Sequence, residues 1–314
     1  MDIILLMGKM MLKKYNIDTK HSWITVNIDQ LTVDKTEKLL EKLDMDEETL
    51  GYALDKKERA HVEFTSETQT LTLVYNALNP NKEENHFTTL PVTFTVKGNK
   101  MITFYSKETE YVIEQMNEIL TSNKELSIYQ FLFTVLFIIS ESYFPFIEKM
   151  DKSKDEINRK LREKTNKKDL FALSDIETGV VYLVSAANQN TLLLEQIKSK
   201  SLYRILTEGE KEQLEDALIE AKQLSGMTQI NAQVLQQLSS TYNNILNNNL
   251  NDNMTTLTIV SILLATLAVI TGFFGMNVPL PLTHEHDAWI IIIIFAVVVW
   301  FLYAAILRYV TRSK

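Results

Sequence analysis

The residues with the most chemical content stand near the C-terminal end of the chain, in two groups. The first is a stripe of Asn247, Asn251, Met254, Thr258, Ser261, Ala265, Ala268 and Gly272, spaced three or four apart. On a helix such residues share one face. Amide and hydroxyl oxygens beside small side chains serve either close helix packing or the lining of a polar path. The stripe alone leaves both readings open. The second group, His284, Glu285, His286 and Asp287, sets metal-ligand side chains next to one another in a short polar loop. A solvated loop is the preferred reading, although its acids would still draw cations electrostatically.

The elements that must position these residues are two apolar runs. Residues 254–274 and 289–307 each lack any charge over 21 and 19 residues. About 20 helical residues cross a bilayer core, so both are expected to be transmembrane helices. The loop between them has no Lys or Arg, whereas Arg308, Arg312 and Lys314 follow the second run. Positive residues stay inside. The loop is therefore expected outside, with both termini in the cytosol. A third run, "FLFTVLFII" at 131–139, is too short and reads as a buried core helix.

Before the membrane part the chain falls into two regions. Residues 1–125 read as mixed α/β: "SWITVNI" and "TQTLTLVYNAL" as strands, "PVTFTVKGNKMITFY" as a hairpin turning at Gly98-Asn99, and two helices, the first with Thr32 as its N-cap. Residues 126–253 read as helical, since Pro145 is followed by no proline until Pro279. A helix is expected from Ser174-Asp175 to about Leu206, and the stretch 147–169, dense in charges of both signs, reads as a solvated face. From Thr207 onward, Leu214, Leu218, Ala221, Leu224, Thr228, Ala232, Leu235, Leu238, Tyr242 and Ile245 recur at coiled-coil spacing. One unbroken helix is expected from Glu210 to Phe274, with that seam supporting association between chains. Two spans cannot enclose a wide polar path, so a pore requires several copies around an axis.

Composition excludes much else. The chain has no cysteine, hence no disulfide, thiolate metal site or Cys nucleophile. The part before Met254 is acidic and shows no basic patch interleaved with aromatics, which argues against nucleic acid. No P-loop, glycine-rich nucleotide loop or Ser-His-Asp grouping is present, so no enzymatic activity is expected. The N-terminal "MDIILLMGK" is a poor signal peptide, and translation is expected to start at Met10 or Met11.

The stretch "FGMN", ending in Gly275, Met276 and Asn277 at the outer end of the first of two C-terminal spans, resembles the signature of the CorA family of divalent-cation transporters. The likeness extends over the whole layout. "LDKKERAHVEF" at 54–64 is also similar to a stretch of the family's N-terminal domain. The resemblance implies a funnel-shaped homopentamer in the plasma membrane: an α/β cytosolic domain, long helices, two transmembrane helices (254–274, pore-lining, and 289–307), an external loop at 275–288 and a basic cytosolic tail at 308–314.

It implies Mg2+ as cargo, with Co2+ or Ni2+ possible in addition. Asn277 would meet the ion through its hydration water, because Mg2+ sheds water reluctantly. Asn251, Met254, Leu257 and Thr258 fall on matching pore and gate positions, followed by Ser261, Ala265 and Ala268. Ala265 replaces a larger apolar residue of some relatives, so no upper constriction is expected there. Regulatory Mg2+ would bind between cytosolic domains, at Asp216 and, across the subunit boundary, Asp55; Gly51 and Tyr52 stand where relatives often carry acids. Five copies of Glu285 and Asp287 would draw cations to the outer mouth. Two other readings are a zinc (Zn2+) transporter of the same superfamily and a membrane-anchored sensor or scaffold that conducts nothing.

Overall fold

The computed structural model describes residues 3–4, 12–31, 33–123, 126–163, 166–276 and 287–312. The proposed start residues Met10 and Met11, the N-cap Thr32, Asn277 and Glu285 lie outside these. The chain divides into two compact units, residues 1–239 and 240–314.

The first unit is built on a seven-stranded sheet: β1 (Ile3–Ile4), β2 (Leu12–Asn16), β3 (Ser22–Asn27), β4 (His61–Thr65), β5 (Thr70–Leu78), β6 (Thr89–Lys97) and β7 (Lys100–Tyr105), in the order β1-β2-β3-β7-β6-β5-β4. β3 and β7 are parallel and the other neighbours antiparallel. β3 is buried along its whole length, which explains why "SWITVN" carries apolar or β-branched residues on both faces. The β6–β7 hairpin turns where expected. Gly98 takes φ +58, a left-handed conformation that glycine adopts without a Cβ clash.

Helices cover both faces of the sheet. α1 (Val33–Leu43) and α2 (Glu47–Leu54) bury Leu39, Leu43, Leu50 and Ala53 against Ile24, Val26, Ile102 and Phe104. α3 (Glu110–Ser122) and α4 (Ile128–Glu141) follow. α4 is the expected core helix: Phe131, Leu132, Phe133, Leu136 and Ile139 have no exposed surface. Phe131 meets the ring of Trp23 edge-on at 5.6 Å, and Trp23 donates its indole N–H to Thr103 Oγ1 at 2.9 Å.

The helical region contains α5 (Phe144–Glu163), α6 (Lys167–Ser199), the short α7 (Leu202–Ile205) and the first part of α8 (Glu208–Phe274). α6 starts well before the expected Ser174. Asn166 is its N-cap and accepts from the Asp169 N–H, while Thr178 Oγ1 donates to the Ser174 carbonyl inside the helix. It ends at Ser199 rather than near Leu206, where Lys200 leaves in an extended conformation.

Asn190 of α6 ties that helix to the sheet. β4 pairs with β5 only as far as Val74, so Asn76 lies beyond the ladder. Asn190 takes the place of a strand there. Its Nδ2 donates to the Asn76 carbonyl at 2.8 Å and its Oδ1 accepts from the Asn76 N–H at 2.9 Å. Tyr143 donates to the same carbonyl at 2.8 Å.

α8 opens with a capping box in which Glu210 accepts from the Thr207 N–H and Thr207 Oγ1 from the Glu210 N–H. The helix then runs unbroken to Phe274, as expected. Its apolar seam has a different role from the one anticipated. Leu214, Leu218, Ala221, Leu224, Thr228 and Leu235 are buried inside the single chain. Thr191 of α6 bonds the Ala221 carbonyl, Ser225 donates to Asn188 Oδ1 at 2.6 Å, and Lys198–Glu215 and Lys222–Glu195 flank these contacts. The seam is thus filled by the chain's own α6 and is not available to a second chain over that length.

Four stretches have the length and composition to cross a membrane: 128–163, 167–199, the end of α8 and 289–309. Half of the first window and a third of the second are buried in the chain, against 6% for each of the last two. Burial therefore separates core helices from membrane candidates. The second unit consists of the remainder of α8 and of α9 (Ala288–Arg312).

Candidate functional site

Within the second unit, α8 presents two faces of opposite character. Ile259, Leu263, Thr266, Leu267, Ile270 and Phe274 are partly covered and lie along one side. α9 has a matching set in Ile292, Ala296, Val299, Ala304 and Leu307. At about 100° per residue, the stripe of Met254, Thr258, Ser261, Ala265 and Ala268 points about 170° away from that covered side. All five are exposed. Asn251 and Leu257 flank them and are exposed as well. The small and polar face is therefore not the one on which the chain packs its two helices. Of the two readings left open by the sequence, packing within the chain is removed.

The hydroxyls on this face are oriented by the helix itself. Thr258 Oγ1 donates to the Met254 carbonyl and Ser261 Oγ to the Leu257 carbonyl, both at 2.8 Å. A hydroxyl has one proton and two acceptor lone pairs. With the proton bound to the backbone, each oxygen offers the space beside the stripe acceptors only. Such a surface suits a hydrated cation, whose water hydrogens point outward. Toward the N-terminal end of the stripe, Met254 and Leu257 are bulky apolar side chains 59% and 68% exposed.

At the other end of the span, α8 stops at Phe274. Gly275 donates its N–H to the Thr271 carbonyl at 3.0 Å and Met276 to the Phe273 carbonyl at 3.4 Å. A Cβ on Gly275 would meet the Thr271 carbonyl oxygen at 3.1 Å, so the tight turn here favours glycine. Met276 is half-exposed, and Asn277 follows outside the described residues. Asp287 is exposed, and its carbonyl accepts the Ile290 N–H at the start of α9.

The two proposed regulatory acids both lie in the first unit. Asp216 is exposed on α8. Asp55 caps the C-terminus of α2, and its carboxylate accepts from the Lys57 N–H at 2.8 Å. No hydrogen bond joins them, and among the described residues no group of three or more His, Asp or Glu side chains is placed to hold a metal. One chain does not assemble this site. Beside Asp55 the sequence had shown Tyr52 where relatives often carry acids. The structure supplies what spacing could not: Tyr52 sits between two carboxylates, its hydroxyl 2.8 Å from Glu48 and 3.1 Å from Glu63. The bond to Glu48, with desolvation and Glu63, holds the phenol well above its usual range.

A second exposed row on α8 was also missed: Ile219, Met227, Ile230 and Val234 are 41–61% exposed. Their spacing of eight, three and four was legible, but it ran beside the buried seam and was hidden by it.

Comparison with known proteins bears on the chain as a whole. A profile described as "CorA-like Mg2+ transporter protein" matches residues 18–308. The cobalt/magnesium transport protein CorA of Methanocaldococcus jannaschii is 24% identical over 277 residues, which is 86% of this chain and 85% of that one. The complete structure of the CorA magnesium transporter from that organism superposes with a TM-score of 0.76 over 92% of this chain and 90% of that one, at 24% identity. The full-length CmaX protein has the same fold, with a TM-score of 0.68 and 12% identity over 97% of this chain and 91% of that one. With a fold of this order and a family match over nearly its full length, the chain belongs to the CorA-like Mg2+ transporter family.

Proposed function

We propose that this protein carries divalent cations, Mg2+ first among them, across the cytoplasmic membrane through a pore formed by five copies of the chain. The observation that carries the reading is the row of acceptor-only oxygens and small residues on α8, turned away from the face on which the chain packs its own helices. A face of small and hydroxylated residues at bilayer depth suits contact with water or with other copies better than contact with lipid tails. The exposed row of Ile219, Met227, Ile230 and Val234 supports assembly below the membrane. The relative named for cobalt and magnesium transport directs the choice of ion.

In this reading Asn277 meets the hydrated ion at the external mouth, with Gly275 and Met276 shaping the turn. Glu285 and Asp287 concentrate cations outside it. Thr258 and Ser261 receive the ion's water shell, Ala265 and Ala268 leave room for it, and Asn251 lines the inner exit. Met254 and Leu257 close the path by dewetting. Cytosolic Mg2+ bound at Asp216 and a neighbour's Asp55 favours the closed ring, a population shift that requires tighter binding to that state. No chemical step is involved, and flow follows the electrochemical gradient.

Uptake by proteoliposomes loaded with a Mg2+-sensitive dye, with Co2+, Ni2+ and Zn2+ compared in parallel, tests the function. Mg2+ entry above that of empty liposomes is expected. Zn2+ entry without Mg2+ entry would transfer the assignment to zinc, and no entry of any ion would overturn transport.

A further inference from the structure

We infer that the adjoining ends of α5 and α6, residues 159–162 and 167–171, dock on the anionic phospholipid headgroups of the bilayer in which the protein is embedded. Residues 1–239 hold 29 Lys and Arg against 37 Asp and Glu, an acidic unit. Its cations are not evenly spread. Arg159, Lys160 and Arg162 end α5, and Lys167 and Lys168 begin α6. All five are exposed. In the described part of 159–171 only Glu163 and Asp169 oppose them. Asp169 is engaged by the N-cap Asn166. Lys160 pairs with Glu156, and the other four cations form no ion pair with a described residue. The buried Ile157 and Leu161 face inward, which leaves the charged sides of these helix ends outward.

Phe171 is the second observation. It is 70% exposed, and no other large apolar side chain among the described residues of 12–239 is more so. It lies three and four residues after Lys168 and Lys167, hence on their face of α6. A bare aromatic beside basic residues is the pattern of an interfacial membrane contact, where the ring enters the headgroup region and the cations meet phosphates.

The third observation is direction. α6 runs antiparallel to the first part of α8, with Lys198 bonded to Glu215, Thr191 to Ala221, Asn188 to Ser225 and Glu177 to Ser239. The N-terminal end of α6 therefore lies toward the same end of the first unit as that from which α8 leaves it at Ser239. The apolar run 254–274 follows 15 residues later in the chain.

The inference rests on the membrane reading of 254–274 and not on the ion carried. The full chain has no cysteine, so Ser174→Cys, on the exposed face one turn beyond Phe171, gives a single labelling point. The labelled protein is reconstituted in nanodiscs of phosphatidylcholine alone or with phosphatidylglycerol, each with a nitroxide-headgroup lipid as quencher. Stronger quenching is expected in the anionic discs. It should fall when salt rises from about 0.1 M to about 1 M, as the Debye length shortens from about 10 Å to about 3 Å. Each cation near an anionic leaflet is worth roughly a five-fold factor in partitioning. Arg159→Gln, Arg162→Gln, Lys167→Gln and Lys168→Gln together should return quenching to the phosphatidylcholine level, while both proteins still float with vesicles. Equal quenching in both disc types overturns the inference. Quenching lost in the variant but indifferent to lipid charge also overturns it and assigns these helix ends to an acidic protein surface.

Discussion

The sheet unit and the helix pair obey different rules. In the first unit nearly every apolar side chain of the sheet is buried, and beyond the β4–β5 ladder Asn76 finds a partner in Asn190. In the second, Leu257, Leu264, Val269, Ile293 and Ile294 are 53–70% exposed in the chain alone. The first unit closes its sheet core with its own residues and leaves bare, among others, Phe171 and the row of Ile219, Met227, Ile230 and Val234. The second leaves most of its apolar surface bare, and it is there that the candidate site lies.

Four substitutions sharpen or break this contrast. The largest effect is expected from Asn277→Ala. Mg2+ uptake should drop to the level of empty liposomes, with the oligomer unchanged by light scattering; uptake at the wild-type rate would remove the mouth from the assignment. Next is Phe131→Ala in α4, which should cost the first unit about 3–5 kcal/mol, read as a lower denaturant midpoint. A loss under about 1 kcal/mol would show that this unit is less self-contained than its burial indicates.

Ser261→Leu should slow uptake at least about ten-fold, equivalent to 1.4 kcal/mol of barrier, and leave the melting temperature unchanged. Val260→Leu, on an exposed apolar position about 120° round the helix from the stripe, is the matched control and should leave uptake alone. If the two behave alike, the stripe is not the path. The smallest effect is expected from Asp216→Ala, which should weaken the protection that Mg2+ gives the first unit against proteolysis. Identical Mg2+ dependence in variant and wild type would exclude this acid as a sensor.

The sequence made some of this legible and hid the rest for definable reasons. The β-branched strand runs, the Gly98-Asn99 turn and the two uncharged helical runs are local signals, and each element was found where it was expected, although β3 and β5 are buried on both faces rather than alternating. The seam of α8 was seen as a face, but periodicity identifies a face without naming its partner, and the partner is α6 of the same chain. The start of α6 was misplaced because Ser174-Asp175 and Asn166 are both competent caps; with Asn166 bonded to Asp169, Ser174 is left as a helix-interior residue. Asn190 carried no signal at all, since its meaning depends on where a strand 114 residues earlier runs out of neighbours. In the candidate site, the oxygens of Thr258 and Ser261 were visible as residues, but the direction of their protons was not.

That direction has a consequence for what the path refuses. Halide and phosphate need donors, and in 254–274 the stripe hydroxyls have given theirs to the backbone. The span also contains no titratable side chain. On the proposed path, the span itself would oppose anions by lone pairs and would add no titratable group to the carboxylates at its outer mouth. Rejection of chloride should persist, undiminished, from mildly acid to mildly alkaline conditions.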